Sequence, residues 1–396
     1  MPDWAPQPAT SGMSGLQWTR ETAGAVADLG VLAPLAVALV VGNGMSATAA
    51  LMPAGLLYLL VAGVYRLPVG VQPLKALAAV AIAGGLPPET IGAASLLLGG
   101  LFVLLGLSGL LDRLASIFPL ALVRGVQAAV GLLLLRSAVL LIWQPPGPFE
   151  PYAIGFDWSV ALAVGVAVLA VRLRRLNITL VLVGVGVALA VLRAGETMEW
   201  GPSPIMGPSW DADIWWSALV LLVLPQATLT LANACIAPAD TARHYFGDQA
   251  IRVKPGRLAC TLGTANLLAG AISGLPVCHG SGGMTAHVAF GARTWRAPLL
   301  IGLVLVTLAL VAGRGMGPVM AAFPLEILAG LLGAAGVLHL GLLRGLKTPT
   351  DLAAALAVGL VGGATLNLLW GLLAGLVIWG LSRWVFYPEN MVRTDK

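Results

Sequence analysis

The sequence predicts an all-α membrane protein that crosses the bilayer many times. Of its 396 residues, 58% are hydrophobic and only 10% are charged, and the mean hydropathy is +0.92. Since an ordinary soluble domain has about 25% charged residues, this chain has too few charges to cover a water-exposed surface. Its high hydrophobicity also excludes disorder. The apolar runs are long and continuous rather than alternating, which indicates helices and not a β-barrel.

Fourteen apolar stretches come near the length of about 20 residues that a membrane helix needs. The chain also contains 50 glycines and 26 prolines, which in membranes allow close helix packing or mark broken helices. The stretches 158–171 and 276–292 are short, and the second is rich in glycine. The predicted segments, numbered 1 to 14, are 21–42, 47–65, 67–85, 90–111, 119–142, 158–171, 177–193, 215–236, 257–275, 276–292, 297–313, 320–343, 350–365 and 367–387.

The basic residues test this count independently. If the N-terminus is cytoplasmic and every segment crosses, 18 of the 22 Lys and Arg residues, Arg124 among them, belong to the inner side. Only Arg193 and Arg314 lie in outer loops, and Lys75 and Arg136 lie inside segments. The positive-inside rule is therefore strongly obeyed. We expect a multi-pass protein of the cell membrane with both termini in the cytoplasm.

The arrangement of the segments predicts an inverted repeat. A long outer loop divides them into two sets of seven, and an odd number of crossings gives the two sets opposite orientations. The third segment of each set begins with the same three residues, Leu-Pro-Val, at 67–69 and 275–277. The predicted parts are a cytoplasmic tail (1–20), a first repeat (21–194), an external loop (195–214), a second repeat (215–387) and a cytoplasmic tail (388–396).

Segment 3 contains a proline that suits the first turn of a helix but not its interior. Pro73 therefore predicts extended backbone over residues 68–72 and a helix beginning near Pro73. The free N–H groups at such a helix N-terminus suit an anion, whereas Lys75 in the first turn is unfavourable for the helix. A lysine inside a membrane costs about 2.5–3.5 kcal/mol, so an anionic ligand or an acidic partner is expected. The alternatives are that Lys75 reaches the cytoplasmic surface or pairs with Asp28.

Segment 10 contains the run Cys-His-Gly-Ser-Gly-Gly at residues 278–283. Small residues let backbone N–H groups converge on an oxyanion, although no Gly-Lys-Ser/Thr follows and the run is not a P-loop. Ser281 is a hydrogen-bond donor, and His279 is either a ligand contact or a residue that orients one. The alternative for the glycines is a packing contact between helices.

Three polar residues in segments 1 and 8 complete the candidate site. Asp28 is an acid at membrane depth, where it would carry a proton or balance the charge of Lys75. Gln226 and Asn233 would bond the substrate or a neighbouring helix. The predicted substrate-binding residues are Gln72, Lys75, Gln226, His279, Gly280, Ser281, Gly282 and Gly283.

These motifs resemble those of the molybdate transporter family of plants and bacteria, within the sulfate permease superfamily. The resemblance rests on five stretches and covers roughly residues 21 to 345. Ala27 replaces the glycine usual before Asp-Leu-Gly, and residues 284–287 depart from the usual continuation. The stretches are Glu21–Gly30, Pro68–Lys75, Leu224–Gln226, Pro276–Gly283 and Phe290–Arg293.

The resemblance implies a fold shared with uracil permease. It implies a core domain (segments 1–4 and 8–11) and a gate domain (segments 5–7 and 12–14). It also implies two segments that are half strand and half helix, whose facing ends hold an oxyanion. Members of this kind lack the cytoplasmic STAS domain, in agreement with the roughly ten residues that follow the last segment.

The function expected is secondary transport of a tetrahedral oxyanion, most of all molybdate, with sulfate or tungstate as competitors and protons as a candidate coupling ion. An anion channel or a nucleobase transporter on the same fold stays open as an alternative. An enzyme is not expected, because Cys278 and His279 lack further catalytic partners. The three cysteines have no metal-ligand or disulfide spacing, so neither a metal nor a cofactor is predicted. The expected partners are the anion, the bilayer and, as an open question, a second copy of the chain, but not nucleic acid.

Topology provides a direct test. Cysteines placed at Gly147 and Ser203 should be labelled from outside by a membrane-impermeant thiol reagent, and one at Asp248 only from inside, because of the charge asymmetry. Labelling of the loop at Ser203 from inside would contradict the inverted repeat.

Overall fold

The computed structural model describes residues 15–26, 29–111, 119–173, 178–195, 199–289 and 291–386. In the first half, two helices precede the long α3, a short strand and helix follow, and four more helices complete the set. A 3₁₀ turn, Gly147–Tyr152, lies between α6 and α7. The elements are α1 (Gly15–Val26), α2 (Leu29–Asn43), α3 (Ala47–Val64), β1 (Gly70–Pro73), α4 (Lys75–Gly84), α5 (Pro88–Ser108), α6 (Leu120–Trp143), α7 (Phe156–Arg172) and α8 (Ile178–Ala194).

The second half begins with one helical run, α9 (212–246), whose turns change between α and π geometry. The π-helical stretches Ala218–Val223 and Thr230–Ile236 each end shortly before a proline, which has no N–H to donate within the helix. The remaining elements are α10 (Pro255–Ala271), β2 (Val277–Gly280), α11 (Ser281–Ala289), α12 (Arg296–Val311), α13 (Gly313–Ala321), α14 (Leu325–Leu340), α15 (Pro349–Thr365) and α16 (Leu368–Phe386), with a 3₁₀ turn, Gly341–Gly345, after α14.

Four described helical stretches are long and apolar enough to cross a membrane alone: α3, α5, α6, and α14 with its 3₁₀ turn. The pair α12–α13 adds a fifth if its 95° bend is counted within one span. Several shorter apolar helices, among them α4, α15 and α16, lie where other segments were predicted. The helical, multi-pass architecture is thus confirmed, while the count of fourteen crossings stays a prediction.

The two strands form one antiparallel ladder although they lie about 200 residues apart in the chain. Gly70 pairs with Gly280, and Gln72 pairs with Cys278. The prediction of extended backbone before Pro73 is confirmed, and α4 begins two residues after that proline, at Lys75. Gly70 is required by the close approach of α11, since a Cβ there would stand 2.7 Å from the Cα of Gly283.

Side chains from two neighbouring helices hold the strands in place. Tyr58 on α3 donates to the carbonyl oxygen of Val71, at 3.0 Å. Asn266 on α10 clamps the first residue of β2: its amide donates to the carbonyl of Val277 and accepts from the N–H of the same residue, at 2.9 and 2.7 Å. These groups are buried, so each bond satisfies backbone that would otherwise be left unpaired.

The helices pack in two groups. In one group, α3 packs along α12 and α5 packs along α10, with α9, β1, β2, α4 and α11 between them. In the other, α14 packs on α6 and α7, while α15 packs on α6 and α16. Helix α4 contacts α6 where the groups meet. The α5–α10 contact is close because Gly99 and Gly263 face each other, and a Cβ on Gly263 would lie 2.8 Å from the carbonyl oxygen of Gly99.

The loop between the halves is attached to the ends of α3 and α12. The hydroxyl of Ser203 lies 2.7 Å from that of Ser46, and the backbone N–H of Ser203 donates to the hydroxyl of Thr48. A reagent would therefore reach Ser203 poorly. Ile205, two residues further on and 54% exposed, is the better position for the external label.

Candidate functional site

A cavity of about 490 Å³ lies where the two groups of helices meet. Its floor is made by the ends of β1 and β2 and the first turns of α4 and α11. Its walls are parts of α6, α9 and α14. None of the described residues that line the cavity is acidic, whereas two of them, Lys75 and Arg124, are cationic. The cavity is therefore electropositive.

The N-terminus of α4 is organised by two glutamines. The Lys75 ammonium group donates a hydrogen bond to the side-chain oxygen of Gln72, on the preceding strand. Gln226 on α9 accepts from the backbone N–H of Leu77, at 2.9 Å, and donates to the hydroxyl of Thr230, at 3.0 Å. Gln226 thus caps α4 from another helix, since Leu77 is in the first turn, where N–H groups have no partner within the helix. Lys75 and Ala76, the two helix residues ahead of Leu77, line the cavity.

The glycine-rich run forms the end of β2 and the start of α11. A Cβ on Gly280 would lie 2.6 Å from the side-chain amide of Gln72, so the lack of a side chain at Gly280 makes room for this amide. Ser281 begins α11, and Gly282 borders open space. Gly283 is buried behind them, against Gly70.

His279 is completely buried and is fixed from the side of α10. Its Nε2 atom lies 2.8 Å from the hydroxyl of Thr261, which also lies 2.6 Å from the hydroxyl of Tyr65. The His279 ring stands edge-on to the ring of Tyr65 with the centroids 5.8 Å apart. These contacts engage the Nε2 atom within the protein, and whether His279 also contacts the anion stays a prediction.

The structure brings most of the predicted binding residues to one cavity. Seven of the eight line it, and Gly283 is adjacent to them. Asn233 on α9 also lines it, as does His339 on α14. Asp28, the predicted proton carrier or counter-charge, lies outside the described residues, as do Ala27 and Phe290 of the family motifs. Which of these side chains contact an anion remains a prediction.

Two cavity residues were missed as site candidates. Arg124 and Gln127 lie one turn apart on α6, and the guanidinium donates to the Gln127 amide at 3.0 Å. Sequence reasoning assigned Arg124 to the inner basic residues, although predicted segment 5 begins at residue 119. A cation five residues inside an apolar segment was the signal available.

Comparison with solved structures identifies the fold. The transmembrane domain of a cyanobacterium bicarbonate transporter, BicA, shares the fold with a TM-score of 0.62 and 17% identity, over 92% of this chain and 98% of that one. The murine anion transporter Slc26a9, solved in the inward-facing state, gives 0.65 and 16% identity, over 92% of this chain and 68% of that one. The chain therefore has the same fold as these two proteins.

Sequence comparison then defines the family. The family model described as "Molybdate transporter of MFS superfamily" matches residues 20–134 and 218–338. Molybdate transporter 1 of Arabidopsis thaliana is 30% identical over 404 residues, which cover 91% of this chain and 88% of that protein. The chain belongs to the molybdate transporter family, as its motifs implied, and its relatives are transporters and not enzymes.

Gly280 and Gly100 provide a matched pair of variants. Gly280→Ala should fold, because its methyl group meets the end of a flexible side chain. It should nevertheless displace the Gln72 amide from Lys75 and weaken molybdate binding by about tenfold, the equivalent of one hydrogen bond. Gly100→Ala on α5 adds the same methyl group to open space away from the cavity and should bind nearly as the wild type does. Calorimetry on monodisperse protein decides, and equal affinities for the two variants would contradict the assigned role of Gly280.

Proposed function

We propose that the chain is a secondary transporter that takes up a tetrahedral oxyanion, with molybdate as its principal substrate. The observation that carries this proposal is the convergence of two strand-to-helix junctions, those of β1–α4 and β2–α11, on one electropositive cavity. The name of the family and that of its Arabidopsis relative support molybdate as the anion.

The chemistry of the cavity suits a buried dianion. Removing such an ion from water is costly unless several donors and positive charge replace its hydration. Two helix N-termini supply backbone N–H groups and the positive ends of helix dipoles. Lys75 is the first residue of α4, where its charge is unfavourable for the helix, so an anion in the cavity would stabilise both the lysine and the helix end.

The packing of the helices supports a seven-plus-seven inverted repeat. In such a repeat each predicted segment corresponds to the one seven positions later. Helices α3 and α12 are segments 2 and 11, and their counterparts, segments 9 and 4, are α10 and α5. The α3–α12 contact therefore corresponds to the α5–α10 contact, and the β1–β2 ladder corresponds to itself. Tyr58 on α3 and Asn266 on α10 likewise hold β1 and β2 from corresponding helices. The two groups of helices then correspond to the core and gate domains, with both termini in the cytoplasm.

The position of the cavity supports an inward-facing state. Its rim includes Arg124, near the start of α6, and Leu342, in the 3₁₀ turn after α14, both at the end assigned to the cytoplasm by charge. Lys75, Leu338 and His339 also line a smaller adjoining cavity of about 190 Å³ with mostly apolar walls. Alternating access would move the core, with the anion, relative to the gate.

Two other functions use the same fold. A channel needs a continuous pore and weak binding, so saturation of uptake at low substrate together with counterflow would exclude it. A nucleobase transporter would need carboxylates to bond ring N–H groups, and the described residues lining the cavity include none. Sulfate and tungstate remain competitors of molybdate at this site because they share its tetrahedral shape and charge.

Lys75→Ala tests the anion site. A charge-assisted hydrogen bond contributes about 1.5–3 kcal/mol, so molybdate binding should weaken ten- to a hundredfold. Binding should be measured by calorimetry on purified protein with molybdate, tungstate, sulfate and uracil. Lys254→Ala removes the same charge from an exposed loop and serves as the control. Wild-type molybdate affinity in the Lys75 variant would show that the site lies elsewhere, while a preference for uracil would refute the oxyanion assignment.

Asp28→Asn tests proton coupling. Uptake of a dianion against an inside-negative potential costs about 2.3 kcal/mol per charge per 100 mV, which proton symport would offset. If Asp28 carries the proton, the variant should lose pH-driven uptake of molybdate into proteoliposomes and keep molybdate exchange. Loss of both activities would instead indicate a counter-charge for Lys75, and retention of pH-driven uptake would remove Asp28 from the mechanism.

A further inference from the structure

We propose that Arg124 and Gln127 on α6 form a second contact for the anion, supplied by the gate and used only when the site faces the cytoplasm. The proposal rests on the function proposed above, since it concerns the same oxyanion. It assigns to the gate a binding residue distinct from Lys75 on the core.

The environment of Arg124 is the first reason. Arg124 lies five residues into an apolar helix, is half-buried and lines the cavity. Its described partner is the neutral amide of Gln127, at 3.0 Å, and its Nε atom is buried with no hydrogen-bond partner among the described residues. A buried N–H of a charged group without an acceptor is costly, so a ligand with acceptor oxygens would stabilise it.

The second reason is that Lys75 has the same arrangement. Each cation is hydrogen-bonded to a glutamine three residues away in the chain, Gln72 for Lys75 and Gln127 for Arg124. A glutamine amide positions the cation but leaves its charge uncompensated, unlike a carboxylate. Within the part of the chain that the structure describes, the only ion pair is Arg243–Asp240, whose side chains are exposed. Neither cavity cation is therefore paired with a carboxylate among the described residues.

The third reason is where Arg124 lies. A Cβ on Gly345, in the exposed 3₁₀ turn, would stand 3.8 Å from one guanidinium nitrogen, so Arg124 lies at the open end of the cavity. The planar guanidinium with several N–H donors suits the oxygens of a tetrahedral oxyanion better than an ammonium does. Lys75 belongs to α4, whereas Arg124 belongs to α6 in the other group of helices. Movement of one group past the other would separate the anion from Arg124.

This separation predicts an effect confined to one side of the membrane. In proteoliposomes containing protein of one orientation, Arg124→Gln should raise the half-saturating molybdate concentration at the cytoplasmic face by about tenfold, the equivalent of 1.4 kcal/mol. The value at the external face should change little. Arg124→Lys should be intermediate, because it keeps the charge and loses the planar fork.

Controls separate contact from other causes. Arg344→Gln removes an exposed charge from the same rim without altering the lining of the cavity, so it should leave both faces nearly unchanged. If Arg344→Gln raises the cytoplasmic half-saturating concentration as much as Arg124→Gln does, the effect comes from the general electrostatic field of the rim, and the proposal is overturned. If Arg124→Gln raises the half-saturating molybdate concentration equally at both faces and lowers the melting temperature, Arg124 has a structural role and the proposal is overturned. The proposal is also overturned if Arg124→Gln leaves the half-saturating concentration unchanged. A wild type without saturable uptake of molybdate, tungstate or sulfate would instead refute the underlying transport function.

Discussion

The antiparallel pairing of β1 with β2 is the interaction on which the rest of the site depends. Inside a membrane every backbone polar group needs a partner within the protein, and the two interrupted segments leave extended backbone that no helix satisfies. Each strand provides the partners for the other, so neither interruption is stable alone. Because the strands come from different halves of the chain, their pairing also brings the N-termini of α4 and α11 to the same cavity.

The side chains around the ladder follow from that constraint. At Gly70 the backbone of Gly283, from the opposite half, occupies the space that a side chain would need. At Gly280 the Gln72 amide occupies that space. Tyr58 and Asn266 donate hydrogen bonds to backbone carbonyl groups of the strands that the short ladder does not pair. Gln226 performs the same task for the first turn of α4. These buried polar groups therefore position the backbone around the cavity.

Sequence reasoning succeeded where a local rule decides the structure. Pro73 ends the extended stretch of β1 and Pro276 directly precedes that of β2, because proline does not fit the interior of a helix, and the predicted interruptions are confirmed. The positions of the long helices follow from hydrophobic length, as for α5 and predicted segment 4. Both rules depend only on residues that are close together in the chain, so the sequence pattern is sufficient to apply them.

The remaining details depend on contacts between distant residues. Gln226 looks the same in a sequence whether it binds an anion or caps a helix 149 residues away, and only the packing of α9 on α4 decides. His279 depends similarly on Thr261 and Tyr65. Arg124 illustrates another limit: charge counting assigns it to the inner side, but the count does not distinguish a residue in a loop from one that lines a cavity. Ion choice belongs to the same class of problem. Helix N-termini bind any oxyanion, so preference for a larger ion requires that the ladder keep the two termini from closing on a smaller one. Under the proposed function, the rigidity of β1 and β2, more than any single donor, would then set the size of the anion that is bound, and Lys75 and Arg124 would set its charge.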